Sequence, residues 1–259
     1  MSFKAKTIGA ALALSLSAGA HAGVQTWDFT NPPQFDYHGA GNSWTLTQDG
    51  VTVKVTGWSD TWDSSYDDEV EAAQLIWAQS DALGIVNDDE GTSSPSHAID
   101  SFRTGNDHDG DSDMLLLEFD TAVDLQGIDL SWARNGHSYG NADVSILAWD
   151  GAGDMGIDGK TWSDVLASNG GGYVSTDNAN VGLNYYGVNA GNFTSTKWLI
   201  GVYNPVFGTG GSAGNDAFKL DSIRTNMSDN PPTGDVPVPG SLALVLLGLA
   251  GLRRKFARS

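Results

Sequence analysis

The sequence contains no cysteine and few basic residues. Its 259 residues include 13 Lys and Arg against 32 Asp and Glu, which gives a formal net charge of −19. Without cysteine the chain forms neither disulfides nor thiolate metal sites. Because a protein that binds a phosphate backbone needs a basic face, the charge also excludes nucleic acid as a partner. An apolar core must hold the fold, and the 40% hydrophobic residues with nine Trp can supply one.

The first 22 residues predict a secretory signal peptide. Lys4 and Lys6 supply the positive start, Ile8 to Ala18 the short apolar run, and Ala20-His21-Ala22 the small-residue cleavage site. The alternative, a buried N-terminal helix, is disfavoured by the many small residues. We therefore expect an exported protein whose mature chain begins near Gly23.

The last 33 residues have a different composition. Residues 227–235 form a linker rich in Pro, Gly and polar residues, and residues 236–259 form a separate segment. That segment contains Pro237-Val238-Pro239, an uncharged apolar run from Leu242 to Leu252, and the basic cluster Arg253-Arg254-Lys255. The run is shorter than the roughly 20 residues of a comfortable membrane span, so we expect transient insertion of a short transmembrane helix. A permanent anchor or an amphipathic tail remains the alternative.

Two parts of the chain resemble known families. Pro-x-Pro, a leucine-rich helix and terminal arginines are similar to the PEP-CTERM sorting signal, with Pro237, Val238 and Pro239 at the Pro-Glu-Pro position and Val in place of Glu. Residues 83–87, 94–100 and 114–120 resemble exosortase-dependent surface proteins. The resemblance implies processing by an exosortase and delivery to the cell surface or extracellular matrix of a Gram-negative bacterium that makes exopolysaccharide. It implies no catalytic activity.

Residues 23–226 predict one all-β domain, a jelly-roll-like β-sandwich. Short segments with alternating polarity are separated by clusters of Gly, Asn, Asp and Ser. Asp49-Gly50 between two β-branched runs predicts a tight hairpin. The unbroken apolar run Met114–Leu117 predicts a strand buried on both faces or covered by a loop. Thr161–Ala167 predicts one short helix.

An alternating acidic run predicts a calcium site. Asp107, Asp109, Asp111 and Asp113 occur at every second position, and Glu90 closes a second acidic stretch after Asn87. Several carboxylates on tight loops can converge their oxygens on one hard cation such as Ca²⁺. We expect these two loops and Asp100 to meet if the strands between them pair. The spacing does not fit an EF-hand, and solvated, mutually repelling loops remain the alternative.

A group of aromatic residues predicts a glycan-binding loop. Trp58, Trp62 and Tyr66 are spaced by four residues within a polar, turn-rich stretch. Sugar rings stack their apolar C–H faces on exposed aromatic side chains. The alternative is that these aromatics pack the loop down on the domain, because Trp is usually mostly buried.

No coherent catalytic set is present in the sequence. Residues 210–214 match G-x-S-x-G around Ser212, but no histidine follows and the expected strand and helix do not flank it. His97 has no identifiable nucleophile, and paired carboxylates mean little among 32 acids. We therefore expect a non-enzymatic surface or matrix protein that associates with exopolysaccharide. A secreted polysaccharide-active enzyme and a purely structural or adhesive component are the alternatives.

Overall fold

The computed structural model describes most of the central part of the chain. The described residues are 23–30, 42–62, 68–77, 82–87, 97–102, 111–149, 151, 154–168, 173–175, 178–188 and 191–227. The expected signal peptide and the sorting segment with Pro237, Val238, Pro239, Arg253, Arg254 and Lys255 lie outside these residues, so they stay predictions.

The described residues are almost entirely β, which confirms the all-β class. The strands are β1 (Val24–Asp28), β2 (Ser43–Gln48), β3 (Val51–Trp62), β4 (Asp68–Trp77), β5 (Leu83–Val86), β6 (Ile99–Asp100), β7 (Asp113–Asn135), β8 (Ser138–Tyr139), β9 (Asn141–Trp149), β10 (Tyr173–Ser175), β11 (Asn178–Gly182), β12 (Asn184–Gly187), β13 (Thr194–Val202) and β14 (Asp216–Met227). One helix, α1 (Trp162–Ser168), occurs among these residues.

The hairpin predicted at Asp49-Gly50 is confirmed. Gln48 and Val51 are opposite each other in the β2–β3 register, so the turn has two residues. Asp49 and Gly50 have φ angles of 49° and 82°. Positive φ at both central residues is the type I′ geometry, whose twist matches that of the flanking strands.

Strand β7 connects the parts of the sheet. Its first part pairs with β3 on one side and with β13 on the other. Its later part pairs with β14 and β12. The pairing order is β1-β14-β5-β4-β3-β7-β13-β9-β10, and β14 also pairs directly with β7. The beginning of β7 therefore lies between strands that are distant in the sequence.

The apolar run at the start of β7 is buried on both faces, as predicted. Leu115 and Leu117 belong to the main core, whereas Met114 and Leu116 belong to a second cluster of buried residues. The second cluster is completed by side chains from α1 and the segment before it, namely Met155, Ile157, Trp162 and Val165. The helix therefore covers the second face of the strand.

Helix α1 lies one residue later than the predicted range Thr161–Ala167. Thr161 precedes it and acts as its N-cap, because the backbone N of Asp164 donates to Thr161 Oγ1 at 3.1 Å.

The clearest departure from the sequence prediction is the length of β3. The stretch from Gly57 to Trp62 reads as turn-rich, yet it continues the strand. It stays extended because β4 pairs with residues 57–62 on one side and β7 with residues 53–59 on the other. Strand β7 also runs without a break over the 23 residues from Asp113 to Asn135.

Among the described residues, no helix has both the length and the hydropathy that crossing a bilayer requires. The expected C-terminal membrane segment lies outside them.

Candidate metal centre

Four strand ends and one loop bring carboxylate, amide and hydroxyl side chains together. Two of these residues, Ser59 and Asp60, lie in β3. Asp100 ends β6 and Asp113 begins β7, while Asn87 follows β5 and Asp111 precedes β7. Ser59 and Asp113 are direct partners in the β3–β7 register, so their side chains leave the same face of the sheet. We call the group the acid cluster; it consists of Ser59, Asp60, Asn87, Asp100, Asp111 and Asp113.

Asp113 is the central residue of the acid cluster and is 1% exposed. The backbone N of Asp100 donates to Asp113 Oδ2 at 3.1 Å. The other carboxylate oxygen, Oδ1, is buried and accepts no hydrogen bond from the described residues. A buried carboxylate oxygen without a partner is costly, because the group has lost its hydration and gained nothing in return.

Hydrogen bonds of Asn87 and Asp60 link the other residues of the acid cluster. Asn87 Nδ2 donates to Ser59 Oγ at 3.0 Å and lies 3.5 Å from Asp111 Oδ2. Asp60 Oδ1 accepts a hydrogen bond from the backbone N of Ser112. The cluster therefore ties the end of β3 to the residues that lead into β7.

The electrostatics of the acid cluster disfavour ionised carboxylates. Burial, followed by the nearby Asp100 carboxylate, raises the pKa of Asp113 well above its usual range; the polar groups of Ser59, the Asp100 backbone and Asn87 near the carboxylate oppose this. Burial also raises the pKa of Asp60 well above its usual range, with smaller contributions from Asp111 and Asp113. Among the described residues, no cation contributes to either shift.

These residues fit the oxygen chemistry of calcium, with one restriction. No three Asp, Glu, His or Cys side chains of the described residues are arranged to hold a metal ion by themselves. Calcium accepts neutral oxygens and water beside carboxylates, in flexible shells of six to eight oxygens. An ion beside Asp113 Oδ1 would therefore need the neutral oxygens of Asn87 and Ser59, or water, as well as carboxylates.

The structure brings together part of the metal site predicted from the sequence. Asp111 and Asp113 both belong to the acid cluster, and Asn87 and Asp100 join them. Asp107, Asp109 and Glu90 lie outside the described residues. Ser59 and Asp60 were missed because the stretch that contains them reads as a loop.

The aromatic residues predicted to bind glycan are only partly described. Trp58 is half-buried and packs against the second core cluster, and its Nε1 donates to Thr56 Oγ1 at 2.9 Å. Trp62 ends β3, and Tyr66 lies outside the described residues. Glycan binding at these three positions stays a prediction.

A second buried acid network holds the turn before β14. The backbone N of Asp143 donates to Asp216 Oδ1 at 2.8 Å, and Asp143 in turn accepts from the backbone N of Asn180 and of Ser212 at 2.7 and 3.0 Å. Burial raises the pKa of Asp216 to about 7; the hydrogen bond from the Asp143 backbone opposes the rise, and the Asp143 carboxylate adds to it.

The two residues considered for nucleophilic chemistry occupy structural positions. Ser212 lies in the turn that Asp143 holds, and β14 follows it rather than a helix. Burial, and then the charge of Lys219, lowers the pKa of His97. Neither residue is part of a described nucleophile and base pair.

Comparison with known proteins adds no constraint, since the chain matches no family model, no curated protein and no solved structure.

Proposed function

We propose that this protein is an exported, non-enzymatic component of the cell surface or extracellular matrix, which binds Ca²⁺ at the acid cluster and associates with exopolysaccharide. Its strands would form a jelly-roll-like β-sandwich, and an exosortase would process its C-terminal segment. The observation that carries the calcium site is the buried, unpartnered Oδ1 of Asp113 beside Asp100.

Two processes can remove the free-energy cost of burying ionised carboxylates close together in the acid cluster. Asp113 can take up a proton, which its raised pKa favours. Alternatively, a divalent cation can neutralise the carboxylates and use the unpartnered oxygen as a ligand. Outside the cell Ca²⁺ sites of millimolar affinity suffice, and the oxygen-only ligand set suits a hard cation. We favour calcium at neutral pH for these reasons.

Burial of the acid cluster also favours a structural role over catalysis. Glycoside hydrolysis needs two carboxyl groups on either side of a bound sugar ring. Asp113 and Asp111 are 1% and 7% exposed, and Asp100 is 5% exposed, so a polysaccharide has no access to them. A small ion meets no such steric limit.

Thermal unfolding of purified full-length protein tests the calcium site. After treatment with a chelator, calcium at about 100 times its Kd should stabilise the fold by about 3 kcal/mol. For a domain of this size that raises Tm by about 5–10 °C. Asp113→Asn should abolish the rise, whereas the matched control Asp120→Asn, an exposed position on the same strand, should keep it.

The Tm values of the wild type and Asp113→Asn, with and without calcium, decide whether the acid cluster binds the ion. Equal Tm values with and without calcium in the wild-type protein would refute the site. A rise that survives in Asp113→Asn would place the ion elsewhere in the chain. Magnesium is the ionic control, because it requires near-ideal octahedral geometry and loses its water reluctantly.

Cosedimentation with the host's exopolysaccharide tests the association. Saturable binding of the full-length protein is expected, and loss of binding in a chelator would assign the calcium site a direct role. Lack of binding in both buffers would contradict the association and leave a structural or adhesive component.

A further inference from the structure

We infer that a surface formed by Trp132, Arg134 and Tyr139 binds a carboxylated sugar unit of an acidic polysaccharide. This inference rests on the proposed association with exopolysaccharide and gives it a location and a ligand class. The site differs from the aromatic group around Trp58 and from the acid cluster.

The strand register places these side chains on one face of the sheet. Arg134 lies opposite Tyr139 in the β7–β8 pair and opposite Ala217 in the β7–β14 pair. Trp132 is two residues earlier on β7, so its side chain leaves the same face. The residue between them, Ala133, belongs to the main core, so Trp132, Arg134 and Tyr139 lie on the opposite face from that core.

Aromatic side chains surround the Arg134 guanidinium. Its Cζ lies 4.5 Å from the centroid of the Phe102 ring and 5.9 Å from that of Tyr139. Tyr139 and Trp132 form an edge-to-face pair with centroids 6.3 Å apart. Arg134 Nε donates to the Gly136 carbonyl at 2.7 Å, which fixes the plane of the group. The arginine is therefore held in one orientation before any ligand arrives.

The charge of Arg134 is not neutralised within the described residues. Lys54 and Lys197 both pair with Glu118, but no carboxylate lies within ion-pair distance of Arg134 there. Arg224 also lacks an ion-pair partner among the described residues, but only Arg134 lies beside two aromatic rings. Its remaining N–H groups can bind a carboxylate in the bidentate geometry that arginine prefers.

The aromatic rings beside Arg134 offer a surface for the apolar face of a sugar ring. Tyr139 is 69% exposed, the highest value among the large hydrophobic side chains described as exposed, and Trp132 beside it is half-buried. A pyranose ring can stack its apolar C–H face on such a surface. A sugar that carries a carboxylate would stack on Tyr139 and Trp132 and place its charge on Arg134. That combination describes a uronic acid unit.

Calorimetric titration of the full-length protein with tetragalacturonate tests this inference. The fully methyl-esterified tetramer keeps the rings and removes the charges. We expect the acid to bind at least tenfold more tightly than the ester, because the charge-assisted hydrogen bonds to Arg134 are lost with the ester. Equal affinity for the two would overturn the inference.

Two substitutions and one control locate the site. Arg134→Lys keeps the charge but loses the bidentate, stacked geometry, and Tyr139→Ala removes an exposed ring; each should weaken binding about tenfold. Tyr185→Ala is the matched control, because Arg224 stacks on that ring at 4.0 Å and no second described aromatic ring contacts it. Wild-type affinity in Tyr139→Ala would also overturn the inference.

The outcomes separate this inference from the proposed function. Cosedimentation with exopolysaccharide that persists without tetragalacturonate binding would refute the uronate site and leave the association intact. Loss of both would refute the association as well, while the calcium-dependent Tm would still report on the acid cluster. Circular dichroism of each variant verifies that the fold is retained.

Discussion

Replacing Asp216 with asparagine should change how stability depends on pH. Asp216 is fully buried, and its pKa is raised from 3.8 to about 7. Because the folded state binds a proton there more tightly than the unfolded state, this group stabilises the fold below pH 4. That contribution is lost as the pH rises through about 7. Asparagine resembles the protonated form, and its Oδ1 can still accept from the Asp143 backbone.

The structure sets the size of this effect. A displacement from 3.8 to about 7 corresponds to at most about 4 kcal/mol. The polar groups around the carboxylate screen its charge, so we expect about 2 kcal/mol. Asp216→Asn should therefore lie within about 0.5 kcal/mol of the wild type at pH 4.5 and exceed it by about 2 kcal/mol at pH 8.

Urea unfolding in the presence of a chelator, at several pH values between 4.5 and 8, measures the difference. Asp60, Asp113 and Asp221 also have raised pKa values, but they are present in both proteins and cancel in the comparison. The control Asp120→Asn removes a charge from an exposed position. Parallel curves for the wild type and Asp216→Asn would refute the assignment of this pH dependence to Asp216.

Three further substitutions test the fold by thermal unfolding. Gly50→Ala should lower stability by about 1 kcal/mol, because φ is 82° in the hairpin turn; no change in Tm would contradict the type I′ assignment. Thr161→Ala removes the N-cap of α1 and should cost about 1 kcal/mol, whereas Thr161→Ser should retain most of it. Gly201→Ala should destabilise more than either, because its Cβ would overlap the Asp113 carbonyl oxygen, and a wild-type Tm would contradict that close approach.

Local sequence signals predicted the parts of the fold that depend on neighbouring residues. Asp49-Gly50 specifies its turn through the φ angles that these residues tolerate, and the position of α1 follows from polar residues in its first turn. The run Met114–Leu117 indicates burial on both faces because every position is apolar. Each of these features is decided within a few residues of chain.

The pairing of strands that are distant in the sequence determines the parts of the fold and of the candidate site that sequence analysis missed. Ser59 and Asp60 look like loop residues, and only the pairing of β3 with β4 and β7 keeps them extended. The alternating aspartates marked Asp111 and Asp113 as members of a site, but Asp60 joins them from 52 residues away along the chain. Arg134 and Tyr139 gave no signal because neither residue belongs to a recognisable motif. Their significance comes from the aromatic rings that the fold gathers around Arg134, which the sequence does not show.

The acid cluster and the Asp216 network are adjacent along the chain, and calcium should make the two respond to pH in opposite ways. Asp100 belongs to the first, and the next residue, Ser101, donates its backbone N to the Asp216 carbonyl at 2.9 Å. Protons stabilise the Asp216 network as the pH falls. Calcium at the acid cluster must displace the proton from Asp113, so its stabilisation should grow as the pH rises. Calcium should therefore flatten the dependence of stability on pH, because the ion replaces at neutral pH the stabilisation that protons supply under acidic conditions.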